Sequence, residues 1–165
     1  MKVHVLTAVS RPQNLPRLAR SLAKGANGHE IVWHWRFDLN RTDVGGQAAK
    51  NAMLDEIQDG WVYVLDDDTL MHPRLLSKLT DDPEVRAIIV SQQRKHEQSL
   101  AATSDNLRVG HIDIGQALLR REMIGSERIP LLHFGDGLFL ETLLKGKPGV
   151  VFCEEELSYY NSLER

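Results

Sequence analysis

The stretch that most constrains this chain is "GWVYVLDDDTLMHP", Gly60 to Pro73, in which the apolar run Trp61 to Leu65 stops at three consecutive acids, Asp66, Asp67 and Asp68. A short apolar run without polar alternation is the pattern of a central strand covered on both faces, and such strands belong to α/β proteins with parallel sheets. Adjacent carboxylates repel one another and are costly to bury unpaired. In open α/β sheets, ligands bind beyond the carboxyl ends of the strands. An acid cluster at such an end is therefore placed to meet a cation, and oxygen ligands suit hard divalent ions such as Mg²⁺ or Mn²⁺ shared with phosphate oxygens. The plainer alternative is a solvated strand-to-helix turn, where Asp is common as a cap.

The chain has 165 residues, enough for one domain with a real core. Its net charge is -3 and it has no block of Lys or Arg, so bulk attraction to nucleic acid is not expected. The single cysteine, Cys153, excludes an internal disulfide and points to a reducing compartment. No apolar run is long enough to span a membrane. The opening "VHVLTAV" leads into Ser10-Arg11-Pro12 and reads as a first strand rather than a signal peptide. The expected location is cytoplasmic, with no transmembrane segment.

Strands and helices alternate along the sequence. Val3 to Val9 is a β-rich run, and Leu15, Leu18, Ala19 and Leu22 follow at helical spacing, with prolines at the start and Gly25 and Gly28 after the end. Glu30 to Phe37 is a second strand ending at Asp38. A polar loop leads to Gly45-Gly46 and a helix from about Gln47 to Ile57. After the third strand, Leu75, Leu76 and Leu79 mark a short helix, and Arg86 to Val90 a fourth strand. Ser91 to Val109 is polar and uneven, and reads as a functional or mobile loop. "IDIGQALLRR" is a further candidate strand, Asp136 to Leu144 a helix closed by Gly146, and "GVVFC" the last strand. The three tryptophans, Trp33, Trp35 and Trp61, sit in strand-like runs and are expected in the core. The alternation argues for an α/β sandwich with a largely parallel sheet.

Several of these pieces, in this order, resemble nucleotide-sugar glycosyltransferases of the GT-A fold, family 2-like. "VLTAVSRPQNLPRLARSL" (Val5 to Leu22) is similar to the opening strand and helix of that fold, where a Thr and a following "RP" lie beside the nucleotide. "GGQAAKNAML" (Gly45 to Leu54) resembles the glycine-then-"ARN" helix, with Lys50 in place of the usual Arg. "VYVLDDDTL" resembles the strand and DxD motif. "VGHIDIGQALLRREMI" (Val109 to Ile124) resembles a segment of β-1,3-glucuronyltransferases, and "FGDGLFLETLL" the later acid-plus-helix segment, here reading "GD" rather than the commoner "ED". The "DDDTL" stretch is also similar to the DxDGT signature of haloacid-dehalogenase-like phosphatases. Here the glycine is missing and the motif follows the third strand rather than the first.

The resemblance implies a Rossmann-like α/β/α sandwich comprising the whole of 1–165 as one minimal glycosyltransferase domain. It implies a metal-dependent, inverting transfer of sugar from a nucleoside-diphosphate donor, UDP or GDP type, to the hydroxyl of a carbohydrate or other acceptor. The metal, Mn²⁺ or Mg²⁺, would be held by Asp68 and Asp66, with Asp66 or Asp67 also contacting ribose or a metal-bound water. Asp38 would accept from the N–H of uracil or guanine, a hydrogen bond adenine does not offer in the same pose. Thr7, Arg11 and Lys50 would lie near the base or diphosphate. Asp136 would be the catalytic base, with Asp113 binding sugar hydroxyls. Each has a structural alternative: Asp38 as a loop cap, Arg11 and Lys50 as surface charges, and Asp136 as a helix N-cap. His111 and His133 are candidate metal or sugar contacts. The rival from another class is a non-catalytic nucleotide or sugar-nucleotide binding module.

Overall fold

The computed structural model describes residues 1–38, 46–94 and 98–163. Six strands form one sheet: β1 (Lys2–Val9), β2 (Glu30–Phe37), β3 (Trp61–Val64), β4 (Ala87–Arg94), β5 (Ala117–Arg120) and β6 (Val150–Tyr160). Four α-helices accompany them: α1 (Leu15–Gly25), α2 (Gln47–Leu54), the single turn α3 (Arg121–Ile124) and α4 (Gly135–Leu144). The strand order is β2-β1-β3-β5-β4-β6. β1 is parallel to β2 and β3, and β4 is parallel to β6. β5 is antiparallel to both of its neighbours, β3 and β4. Reversing twice returns β4 and β6 to the direction of β1, so β5 alone runs against the rest. The mostly parallel α/β sheet expected from the alternation is what forms.

β3 shows why its sequence is continuously apolar. Its four residues are all buried. Val62 and Val64 enter a cluster with Met53, Leu54, Phe139 and Leu140 from α2 and α4. Trp61, Tyr63 and Leu65 enter the opposite cluster with Leu18, Leu22, Leu75 and Leu76. Successive side chains alternate between two dry faces, and each face needs an apolar residue. No helix among the described residues is long and apolar enough to cross a membrane.

Three elements and one side chain differ from the sequence expectation. β6 runs on through Glu154, Glu155 and Glu156 to Tyr160, well past "GVVFC". As an edge strand, it exposes acids that do not read as strand but that discourage further pairing. β4 continues to Arg94, so the first part of the supposed loop is paired strand, with a register irregularity around Ser91. The span Ile112 to Arg121 is strand only over 117–120; Ile114–Gln116 is a 3₁₀ turn closed by a capping box between Asp113 and Gln116. Trp35 lies 44% exposed on the edge strand β2, edge-on to Phe37, while Trp61 is in the core.

Candidate functional site

Because five strands share one direction, the carboxyl ends of β1, β3, β4 and β6 collect at one edge of the sheet. The reversed β5 delivers its approach, Ile112 and Asp113, to that same edge. A cavity of about 520 Å³ opens there. It is lined by Arg11, Asp38, Lys50, Asp66, Asp67, Asp68, Asp113 and Asp136, residues scattered over some hundred positions of sequence, together with Arg94, His133, Phe134, Tyr160 and Asn161.

Thr7 is not among the lining residues. It is fully buried, and its hydroxyl accepts from the Trp33 indole at 3.0 Å, while its neighbour Ala8 faces the cleft. A one-residue step along a strand changes the face. His111 is exposed and does not line the cleft either. Gly45 falls outside the described residues. Gly46 takes a left-handed φ of 69°, and a Cβ there would overlap Ala8, so this position requires glycine to let α2 start against β1.

The three acids have three different environments. Asp67 is buried, and its carboxylate accepts from the backbone N–H groups of Ser10 and Arg11, both at 2.6 Å, and from the Ser10 hydroxyl at 3.1 Å. Its other oxygen pairs with the Arg11 guanidinium. The Asn14 amide donates to the Asp67 carbonyl at 2.9 Å. Asp67 thus ties the β1–α1 turn to the end of β3. Arg11, held this way, reaches 3.2 Å to Asp68. With its amide nitrogen turned toward Asp68, Asn161 donates to both carboxylate oxygens at 3.2 Å. Asp66 is the most open of the three, with its side chain 44% exposed, and it pairs with Lys50 at 2.9 Å.

Lys50 is 1% exposed, an unusual place for an ammonium group. Burial pulls its pKa down, but Asp66, Asp136 and Asp113 more than offset this and hold it above the usual lysine range. Asp113 accepts from the Gly115 N–H at 2.8 Å and from the Gln92 amide at 3.1 Å. Burial, then the Asp66 charge, raises its carboxyl, and those two hydrogen bonds and Lys50 counter the rise. Asp136 stands in the first turn of α4 but is not the N-cap; Phe134 holds that position and no side chain caps the helix. Its Oδ1 is buried with no hydrogen-bond partner among the described residues. Burial pushes the Asp136 carboxyl up, Lys50 pulls it back, and Asp66 and Asp113 add to the rise, leaving it at about 6.

Sequence reasoning missed the residues that place Asp136. Asn51 of α2 pairs with Ile129 in both directions, at 2.8 and 2.9 Å, and Gln47 donates to the Leu132 carbonyl at 3.0 Å. The 129–134 turn is thereby held down on α2. A Cβ at position 135 would run into the Pro130 carbonyl, which explains the glycine of "GD". Arg94 and Tyr160, stacked at 4.3 Å, were hidden as well, because the polar ends of β4 and β6 carry no periodic signal.

A resident divalent ion fits these residues in one form only. Among the described residues, no three His, Cys, Asp or Glu converge on a point, so an all-protein cage does not fit. Asp66 and Asp68 both face the cleft with oxygen donors, which suits an ion held by one or two carboxylates and completed by diphosphate oxygens.

The strand order and the helices on both faces of the mostly parallel sheet define the class of fold, which is GT-A-like. Among solved structures, the chain is similar to S. aureus TarS residues 1–349, with TM-score 0.68 and 16% identity over 96% of this chain and 60% of that one. A second TarS 1–349 structure, in complex with UDP-GlcNAc, gives TM-score 0.69 and 14% identity over 99% of this chain and 58% of that one. The A197 protein from STIV gives TM-score 0.57 and 14% identity over 98% and 83%. At these identities the likeness shows the fold, and the chain spans about 60% of the TarS structure. No family model matches the chain, and no curated protein matches it in sequence.

Proposed function

We propose that this chain is an inverting, divalent-metal-dependent glycosyltransferase acting from a UDP- or GDP-sugar on an acceptor hydroxyl. The observation that carries the reading is Asp136: a half-buried carboxylate with one buried, unpartnered oxygen, raised to about 6, in the same cleft as Arg11, Lys50, Asp66 and Asp68. TarS, to which the fold is similar, was solved in complex with UDP-GlcNAc, and this supports a nucleotide-sugar donor. Arg11 and Lys50 supply fixed positive charge near the leaving diphosphate. Asp68, with Asp66, would hold the ion, which when bound neutralises charge on the departing phosphate as a Lewis acid. Asp136 takes the proton from the acceptor hydroxyl as it attacks the anomeric carbon opposite the diphosphate. Asp113 offers hydrogen bonds to sugar hydroxyls. The resemblance of Val109 to Ile124 to β-1,3-glucuronyltransferases remains an expectation from sequence. The phosphatase reading is not carried forward, because the acids follow β3 of a GT-A-like sheet.

The alternative reading of the same cleft is a non-catalytic nucleotide or sugar-nucleotide binding module. Thermal shift with UDP, with and without Mn²⁺, followed by donor hydrolysis, separates the two readings. A ligand at a hundred times its dissociation constant stabilises a fold by about 2.7 kcal/mol. Asp68→Ala is expected to abolish the Mn²⁺-dependent part of the shift. A full metal-dependent shift in that variant overturns Asp68 as ligand. Both readings give the shift in the unaltered protein, and slow release of free sugar from the donor marks the enzyme.

Base choice tests Asp38. Its backbone N–H is tied to the Val9 carbonyl at 2.9 Å, which fixes the residue at the cleft rim. UDP or GDP should bind more tightly than ADP, and Asp38→Ala should weaken the preferred nucleotide by roughly 1–3 kcal/mol. Calorimetry giving equal affinities for UDP and ADP removes Asp38 from this role.

A further inference from the structure

The cleft is not the only cavity with a consistent chemistry. A second one, of about 300 Å³, lies between α1 and the residues that follow the acid cluster, lined by Arg17, Arg20, Ser21, Lys24, Leu70, Met71, Pro73 and Tyr159. Its size is at the lower end of the range for small-molecule sites, about 300–1,000 Å³. The three cations stand at i, i+3 and i+7 on α1, one stripe of a helix whose Leu18 and Leu22 face the core. α1 has no acidic residue, and no carboxylate pairs with Arg17, Arg20 or Lys24 among the described residues. This is notable in a chain of net charge -3, where most other described cations are paired or bonded to carbonyls. Like charges one turn apart on a helix repel, and a bound anion relieves that repulsion.

The opposite wall is apolar. Met71 is buried, and its N–H is bonded to the Ser21 hydroxyl at 3.3 Å, which fixes the loop to α1. Leu70 is held by a hydrogen bond from its N–H to the Ser162 hydroxyl at 2.7 Å. Tyr159 completes the wall, its ring 5.1 Å from that of His72. A cation stripe facing a rigid apolar and aromatic wall matches an organic anion with charge at one end and an apolar body at the other.

We propose that this cavity binds the phosphate of an organic phosphate ester, its charge against Arg17, Arg20 and Lys24 and its apolar part against Leu70, Met71 and Tyr159. The site is separate from the cleft and does not depend on the function proposed for it. The same chemistry is offered by a soluble phosphomonoester and by the headgroup of an anionic lipid.

The test is amide chemical-shift mapping of the whole chain in EDTA, titrated with phenyl phosphate and, separately, with dihexanoyl phosphatidylglycerol below its micelle concentration. Saturable shifts at Ser21, Leu70, Met71 and Tyr159 are expected. Arg17→Gln with Arg20→Gln, both exposed positions, should weaken binding by roughly tenfold or more while the rest of the spectrum stays unchanged. Shifts with phenyl phosphate support the site with a soluble ligand; shifts with the lipid alone support it with a headgroup. No saturable shifts with either probe, shifts confined to Lys50 and Asp66, or full affinity in the double variant would overturn it.

Discussion

Asp136→Asn is expected to lower transfer by about 10²–10⁴-fold, the range for loss of a general base, while folding and Mn²⁺-dependent UDP binding persist. The amide keeps the size of the carboxylate and cannot accept the acceptor proton. Asp136 makes no capping hydrogen bond, so none is lost. The substitution removes a favourable negative charge in a first helical turn, worth about 0.3–1 kcal/mol. It also removes a half-buried carboxylate that sits near Asp66 and Asp113. These effects oppose one another, so little net change in stability follows. If the variant instead melts much earlier and retains full activity per folded molecule, Asp136 is structural and the base lies elsewhere.

The same group sets a pH dependence. A base raised to about 6 is half protonated there, so kcat/KM should fall as pH drops through about 6, and that limb should vanish in Asp136→Asn. The stability sign is opposite to that of a salt-bridged Asp. A carboxyl raised on folding binds its proton more tightly in the native state, so its contribution is present in acid and is lost as pH rises through about 6. The unaltered protein should therefore lose stability between about pH 4 and 6 relative to Asp136→Asn, as urea unfolding at several pH values would show.

The sheet was legible because β3 has no polar alternation and because strands and helices alternate around it. Both follow from burial of β3 between two layers. The acids at its end were legible for the same reason, since an apolar run must end somewhere ligands can reach. What each acid does there was not legible. Asp66, Asp67 and Asp68 are adjacent in sequence, yet one meets Lys50, one locks the Ser10–Arg11 turn and one faces Arg11 and Asn161. Those partners come from 16 or more positions away, and spacing within a motif carries no record of them. Thr7 was placed one residue out of the cleft, because the face of a strand residue depends on register. Arg94, Tyr160 and Asn161 were missed because a polar edge strand reads as loop.

Lys50 gives the second large effect, on stability rather than turnover. A buried ammonium near three carboxylates is stable only because the charges compensate. Removing one partner of a buried pair costs about 3–5 kcal/mol. Asp66 keeps 44% of its side-chain exposure, so water screens part of the loss and about 3 kcal/mol is expected for Lys50→Met, which preserves chain length and apolar packing. The deficit lies in the acids left behind, Asp66, Asp113 and Asp136, whose repulsion Lys50 had countered. Lys50 itself stays charged at every pH below its raised pKa, so its own ionisation does not change between pH 5 and 8. Without the ammonium the already raised carboxyls of Asp113 and Asp136 move further up and take protons sooner, and proton uptake by the native state stabilises it as pH falls. The loss in Lys50→Met should therefore be larger at pH 8 than at pH 5 by urea unfolding, and Lys50→Met with Asp66→Asn should recover part of it. Equal losses at both pH values, with no recovery in the double variant, would assign the effect to packing of the lysine stem and not to its charge.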